Sequence, residues 1–287
     1  MVELYDKFSS EISLINKYLE GVVSPEKERK GLVTLTESMR YSLNLPGKRF
    51  RALLALLTAR ALEHELNLVL PYAAAVELIH AYSLIHDDLP CMDDDDYRRG
   101  QPSNHKVFGE SMAVIAGDGL QTLAFELIAE NYQQMPRMGL QASLVLAKAS
   151  GYRGMVGGQA MDVAAGLGYA FKFEELKLMH NLKTGALIRA AIEGAAILCE
   201  ASEKRQQAFT AFGENLGLAF QVADDLLDHH CDNPEPSGFP RLLGLEKTQE
   251  LLEELTQKAQ ECLKPFSVQA TDLIAIAQFN LARTKGA

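Results

Sequence analysis

PYAAAVELIHAYSLIHDDL, residues 71–89, decides how this chain is read. It opens on proline, which suits the first turn of a helix because the missing N–H has no intrahelical partner there. It is apolar on most faces, so the pattern predicts a helix buried in the middle of a bundle. Pro90 follows and cannot continue the hydrogen-bond ladder, so the helix must end or bulge there. At that end six aspartates, Asp87, Asp88 and Asp93 to Asp96, fall within ten residues, and Arg98 and Arg99 come next.

Outward from this stretch most of the chain has helical periodicity, rich in Ala, Leu, Glu, Lys and Gln. Helices are expected at 49–62, 71–89, 111–131, 139–164, 173–200, 203–229, 241–263 and 266–284, and the N-terminus is amphipathic. Convincing strand periodicity, inter-domain linkers and short repeats are missing. The expected architecture is one all-α domain over residues 1–287, a bundle of about ten helices or more.

The composition narrows the function. The net charge of -10 argues against a nucleic-acid partner, which needs a basic surface. With 47% hydrophobic residues in 287, a large core can form. No run of about 18 uninterrupted apolar residues predicts a membrane span. The four cysteines lack metal-ligand spacing and fit a reduced, cytoplasmic protein.

A second acidic cluster, Asp224, Asp225 and Asp228, lies in LAFQVADDLLDHH. Residues four apart stack on a helix, so Asp224 and Asp228 share a face with Asp225 beside them. A solvated acidic end is the plain alternative, but the preceding FGENLGLAFQVA is apolar enough for core. In the first cluster Asp87 and Asp88 occupy the last helical turn, with Asp93 curling back. Two carboxylates about 4 Å apart repel by roughly 4 kcal/mol at an effective dielectric of about 20. That cost calls for a counterion. Oxygen-only ligands favour a hard cation, and Mg²⁺ takes one or two carboxylates and completes its shell with water and phosphate oxygens. The calcium-loop pattern of alternating acids and a central glycine is missing.

Arginine's planar fork matches phosphate oxygens in pairs, so Arg98 and Arg99 beside the aspartates suit a diphosphate clamp. PGKRFR supplies Gly47, Lys48, Arg49 and Arg51 at the start of another helix, a natural anion site. His80 stands two turns before Asp87 on the same face; a satisfied core histidine is the alternative to a ligand role. Lys183 and Thr184, in HNLKTGALI, form a polar break in an apolar helix, and Gln221 projects one turn below Asp224.

DDLPCMD followed by RRG, and the later DDLLD, resemble the two aspartate-rich motifs of the trans-isoprenyl diphosphate synthases. GKRFR, HAYSLIHDD, NHKVFGE, AGDGLQTLAF, GGQAMD and LKTGALI resemble that family in the same order. The resemblance implies an isoprenoid-synthase fold around a deep central substrate cavity, and a homodimer. It implies Mg²⁺-dependent condensation of isopentenyl diphosphate with an allylic diphosphate, with three ions per site and Mn²⁺ able to substitute. Asp87 and Asp93 would hold Mg²⁺ on the allylic diphosphate with Asp88 as neighbour, and Asp224, with Asp225 beside it, would hold a further ion. Arg98, Lys183, Thr184 and Gln221 would contact the allylic substrate. Lys48, Arg51, His80 and Arg99 would bind isopentenyl diphosphate. Tyr82 and Ser83, one turn before Asp87, would set product length, with farnesyl favoured over geranylgeranyl diphosphate.

One segment departs from the resemblance. HHCDNPEPSGFPRLLGLE carries no lysine between Asp228 and Lys247 and is shorter than the family's usual lysine-bearing loop. That departure is the support for a weakly active or regulatory subunit. A terpene cyclase uses the same ionisation chemistry, but the isopentenyl set argues for condensation. A zinc site at His229, His230 and Cys231 is a further reading, disfavoured because adjacent residues rarely converge on one metal.

Overall fold

The computed structural model describes residues 6–229 and 238–284. The chain runs α1 (Ser9–Val22), α2 (Lys30–Leu43), α3 (Phe50–Ala61) and α4 (Leu66–Asp87), then a short ribbon of β1 (Tyr97–Arg98) and β2 (Gln101–Pro102). Next come α5 (Asn104–Phe108), α6 (Glu110–Asn131), α7 (Pro136–Ser150), α8 (Met155–Gly166) and α9 (Phe173–His180). A π-turn (Asn181–Gly185) leads into α10 (Ala186–Leu198), α11 (Glu203–Asp228), α12 (Phe239–Leu243), α13 (Leu245–Leu263) and α14 (Thr271–Ala282). The all-α expectation is met, and the ribbon is the sole strand pairing among the described residues. His230 and Cys231 of the zinc reading, and residues 230–237 of the lysine-free segment, lie outside those described.

Helix α4 is the centre of the bundle, packed on α3, α6 and α10. Its residues from Val69 to Ile79 are buried on every face, as the lack of a polar stripe requires. Its start differs from the expectation. The helix begins at Leu66, so Pro71 lies inside it, because Leu66, Val69 and Leu70 gain burial ahead of the proline. The defect is repaired from outside. The Tyr132 hydroxyl accepts the Tyr72 N–H at 3.2 Å and donates to Leu68 O at 2.9 Å, standing between groups a regular ladder would join directly.

Helices α4 and α6 are both apolar enough, and long enough, to cross a membrane. In α4 78% of that apolar segment is buried, so it is core; in α6 only 39% is, so an apolar face is turned outward.

The helices expected at 139–164 and 173–200 are each interrupted. Gly154 turns the chain so tightly that a Cβ there would lie 2.1 Å from Ala149 O, separating α7 from α8. The second interruption is the π-turn that carries Lys183 and Thr184. Two glycines clasp it: a Cβ on Gly158 would meet Lys183 N at 2.1 Å, and one on Gly217 would meet Gly185 Cα at 2.7 Å. Such π-turns re-aim side chains within a helix. The 241–263 helix divides at Gly244, whose φ is 81°.

Candidate active site

The acidic end of α4 forms as Pro90 dictates. The helix stops at Asp87, and the Asp93 N–H donates to Asp87 O at 2.9 Å, curling the chain back so that both aspartates belong to one loop. Burial pushes the Asp87 carboxyl up to about 6, with Lys183 opposing and Asp93 adding to the rise. Neither Asp87 nor Asp93 has a cation within ion-pair distance among the described residues. Asp88 is different. It is buried and accepts from Arg98, whose Nε lies 2.9 Å away, and Arg98 also reaches Asp95 at 2.9 Å.

The second cluster is divided between two environments. Asp224 faces the C-terminal helix, where Arg283 lies 2.7 Å from its Oδ1. Burial raises its pKa and Arg283 opposes the rise. Asp225 accepts the Phe239 N–H at 2.8 Å and lies 3.4 Å from His180 Nε2, so its carboxylate ties α11 to α12. Gln221 contacts His180 Nδ1 at 3.2 Å. Burial, reinforced by Asp225, raises the Asp228 pKa.

Two cavities adjoin at the Asp87 end of α4. One, of about 620 Å³, is mostly apolar and is lined by Tyr82, Ser83, Asp87, Met155, Lys183 and Thr184 among others. The other, of about 650 Å³, is lined by Gly47, Lys48, Arg51, His80, Arg99 and Phe220 among others. Arg51 and His80 line both. Of the expected allylic residues Lys183 and Thr184 line the first space, and the four expected isopentenyl residues line the second. Asp88, Asp93, Arg98, Gln221, Asp224 and Asp225 line neither; Asp224 acts electrostatically on Lys48 and Arg51.

The second space gathers Lys48, Arg49, Arg51 and Arg99 around one carboxylate, Glu77. Arg51 Nε is shielded and has no hydrogen-bond partner. Burial pulls the Lys48 ammonium down, with Arg283 adding and Asp224 opposing. Burial, then Arg51, Arg99, Arg49 and Arg98, pull the His80 imidazole well below its usual range, so it is neutral near pH 7. Arg99 enters because Gly47 has no side chain; a Cβ there would stand 2.2 Å from its guanidinium. Arg49 is structural, bonded to Asn16 Oδ1 at 2.8 Å and to Leu43 O at 2.9 Å.

Four contributors carried no assigned role in the sequence. Asp162, in GGQAMD, binds Lys183 Nζ at 2.5 Å. Arg283 holds Asp224 while its guanidinium lies over the Phe220 ring at 4.6 Å and its Nε bonds Asn280. His180 joins Gln221 to Asp225. His86 stands edge-on to Tyr82 with ring centroids 5.8 Å apart and fits only because Gly117 opposes it. No local pattern marks most of these pairings, since every partner but those in the Tyr82–His86 and Asn280–Arg283 pairs is distant in sequence.

A family model described as polyprenyl synthetase matches residues 33–237. The chain is 41% identical to the farnesyl diphosphate synthase of Geobacillus stearothermophilus, over 94% of this chain and 93% of that one. It is 38% identical to the geranylgeranyl diphosphate synthase of Cyanophora paradoxa, over 92% of this chain and 93% of that one. Its fold superposes on an FPP/GFPP synthase from Zymomonas mobilis with a TM-score of 0.90 at 37% identity, covering 98% and 99% of the two chains.

Proposed function

Because this chain belongs to the polyprenyl synthetase family of trans-isoprenyl diphosphate synthases, we propose that it condenses isopentenyl diphosphate with dimethylallyl and geranyl diphosphates to give farnesyl diphosphate, as a single all-α catalytic domain. One observation carries the reading. Asp87 lines an apolar cavity with no cation in pairing distance, burial holds it up to about 6, and the exposed Asp93 is brought beside it by its N–H bond to Asp87 O. Carboxylates in that state suit a divalent ion, and Mg²⁺ supplies neutralisation of the departing diphosphate. In this reading Asp87 and Asp93 hold it from the α4 side and Asp224 from the α11 side, three ions in all, with Mn²⁺ able to replace them.

The chain's own groups do the rest. Arg98 and Lys183 meet the allylic diphosphate, with Asp88 and Asp162 orienting them. The apolar cavity keeps water from the allylic cation left by ionisation. Thr184 and Gln221 oxygens face that charge once Gln221 turns from His180, and Asp225 fixes α11, which presents Gln221. Lys48, Arg51, His80 and Arg99 hold isopentenyl diphosphate beside the cavity, so its double bond can attack. Proton loss to the released diphosphate completes the step. Tyr82, with Ser83 beside it, sits where the growing chain runs and limits it to fifteen carbons.

The protein works in this reading as a cytoplasmic homodimer. Val114 and Ile115 on α6 and Leu140 and Leu144 on the adjoining α7 are exposed apolar side chains that a second copy would cover. Incubation with labelled isopentenyl diphosphate, geranyl diphosphate and Mg²⁺ tests the function. Farnesyl diphosphate supports it, and a C20 product favours the geranylgeranyl alternative. No turnover points to a regulatory subunit, and hydrocarbon from the allylic diphosphate alone to a cyclase.

A further inference from the structure

We propose that Asp94, Asp96 and His105 form a second cation site, separate from Asp87 and Asp93, which takes a borderline divalent ion such as Zn²⁺. One ligand atom from each residue lies within 4.8 Å of the other two. The two aspartates are exposed, and an acidic pair of that kind would by itself mean little. The histidine changes this. His105 is only 6% exposed, its Nε2 is shielded from solvent, and that nitrogen has no hydrogen-bond partner. Buried ring nitrogens are ordinarily bonded. Its Nδ1 lies 3.2 Å from Ser103 Oγ. A proton on Nδ1, donated to that oxygen, leaves Nε2 its lone pair, which is how metal-binding imidazoles are commonly oriented.

The dimensions suit an ion. Donors bound to one tetrahedral Zn²⁺ at about 2.1 Å sit about 3.4 Å apart. The trio therefore closes when each separation shortens by about 1.4 Å or less, which rotation of the two exposed carboxylates supplies. An imidazole with two carboxylates favours zinc, manganese or cobalt over magnesium, which prefers oxygen ligands alone. Location gives the ion a task. Asp94 and Asp96 precede β1 and His105 follows β2, and Asp96 O already accepts the Ser103 N–H at 2.9 Å. An ion here clips together both feet of the ribbon that carries Arg98 and Arg99. A competitor is built in, since Lys106 Nζ lies 2.6 Å from Asp96 Oδ1.

The test is Co²⁺ binding to the full-length protein in excess Mg²⁺, without substrate, read by equilibrium dialysis and visible absorption in an Asp87→Asn, Asp93→Asn background. One Co²⁺ per chain is expected. It should bind at least tenfold more weakly in Asp94→Asn and in His105→Gln, and several-fold more tightly in Lys106→Met. Asp94 is exposed, so its variant keeps the test valid if His105→Gln does not fold. Equal binding by the parent and Asp94→Asn, or no tightening in Lys106→Met, overturns the proposal. No turnover is measured, so the result is independent of the proposed reaction.

Discussion

Replacing Tyr82 by alanine should lengthen the product. The residue is 5% exposed, lines the apolar cavity and rests edge-on against His86. Its hydroxyl is buried without a partner, and burial pushes the phenol up to about 12, so it stays neutral and contributes bulk rather than charge. Removing the ring opens space along the path of the chain. Burying one methylene is worth about 0.8 kcal/mol, so a further five-carbon unit gains about 4 kcal/mol at most. Tenfold per 1.4 kcal/mol makes that nearly a thousandfold ceiling on the ratio of elongation to release. The assay is chromatography of dephosphorylated products from labelled isopentenyl diphosphate and geranyl diphosphate. Wild type should stop at C15, and Tyr82→Ala should move most product to C20 or beyond. Tyr82→Phe is the control: it keeps the ring, drops an unpaired hydroxyl at little cost, and should leave chain length unchanged. A Tyr82→Ala protein with native circular dichroism that still stops at C15 would refute the argument that this ring is the floor.

Three further outcomes follow from the same geometry. Asp87 has its pKa raised by folding, so it stabilises the fold below about pH 4 and that contribution is lost as pH rises through about 6. Asp87 should make melting temperature without metal fall across that window by the equivalent of about 3 kcal/mol at most, the fall should shrink by that share in Asp87→Asn, and Mg²⁺ with a diphosphate should restore stability above it. Arg283→Gln leaves Asp224 without its cation. A loss of about 1–2 kcal/mol, allowing for the part-exposed carboxylate, should appear in urea unfolding, with a shifted Mg²⁺ dependence of activity. Gly158→Ala places a methyl 2.1 Å from the Lys183 nitrogen. It should cost about 1–3 kcal/mol by overpacking and lower kcat by displacing Lys183 and Thr184, read by calorimetry and steady-state kinetics.

What could be read from the sequence was what depends on near neighbours. Periodicity gave the helical class, Pro90 gave the end of α4, and spacing placed Asp224 and Asp228 on one face. The Pro71 start and the two interrupted runs share one cause. Pro71 looks like a helix start until Tyr132 arrives from sixty residues away to bridge the ladder. The 139–164 and 173–200 runs look continuous because their breaks depend on close approach at Gly154, Gly158 and Gly217, and a glycine does not announce what it makes room for.

The same limit shapes the site, and it sharpens the functional argument. Half of the aspartates in the two motifs are answered by partners of the chain itself, Asp88 by Arg98, Asp224 by Arg283 and Asp225 by the Phe239 N–H, as Lys183 is by Asp162. Spacing alone treats all the aspartates as equivalent candidates for a metal; these pairings rank them. Asp224 must release or share Arg283 before it can hold an ion, whereas Asp87 and Asp93 need break no ion pair. Ion binding should therefore begin at the α4 side and recruit Asp224 only once a diphosphate is present to draw Arg283 or the metal across. In an isothermal titration with Mg²⁺ alone, Asp93→Asn should then weaken binding markedly, while Asp224→Asn should matter only after a non-hydrolysable allylic diphosphate analogue is added. Equal effects of the two variants in the absence of the analogue would show that Arg283 does not hold Asp224 back.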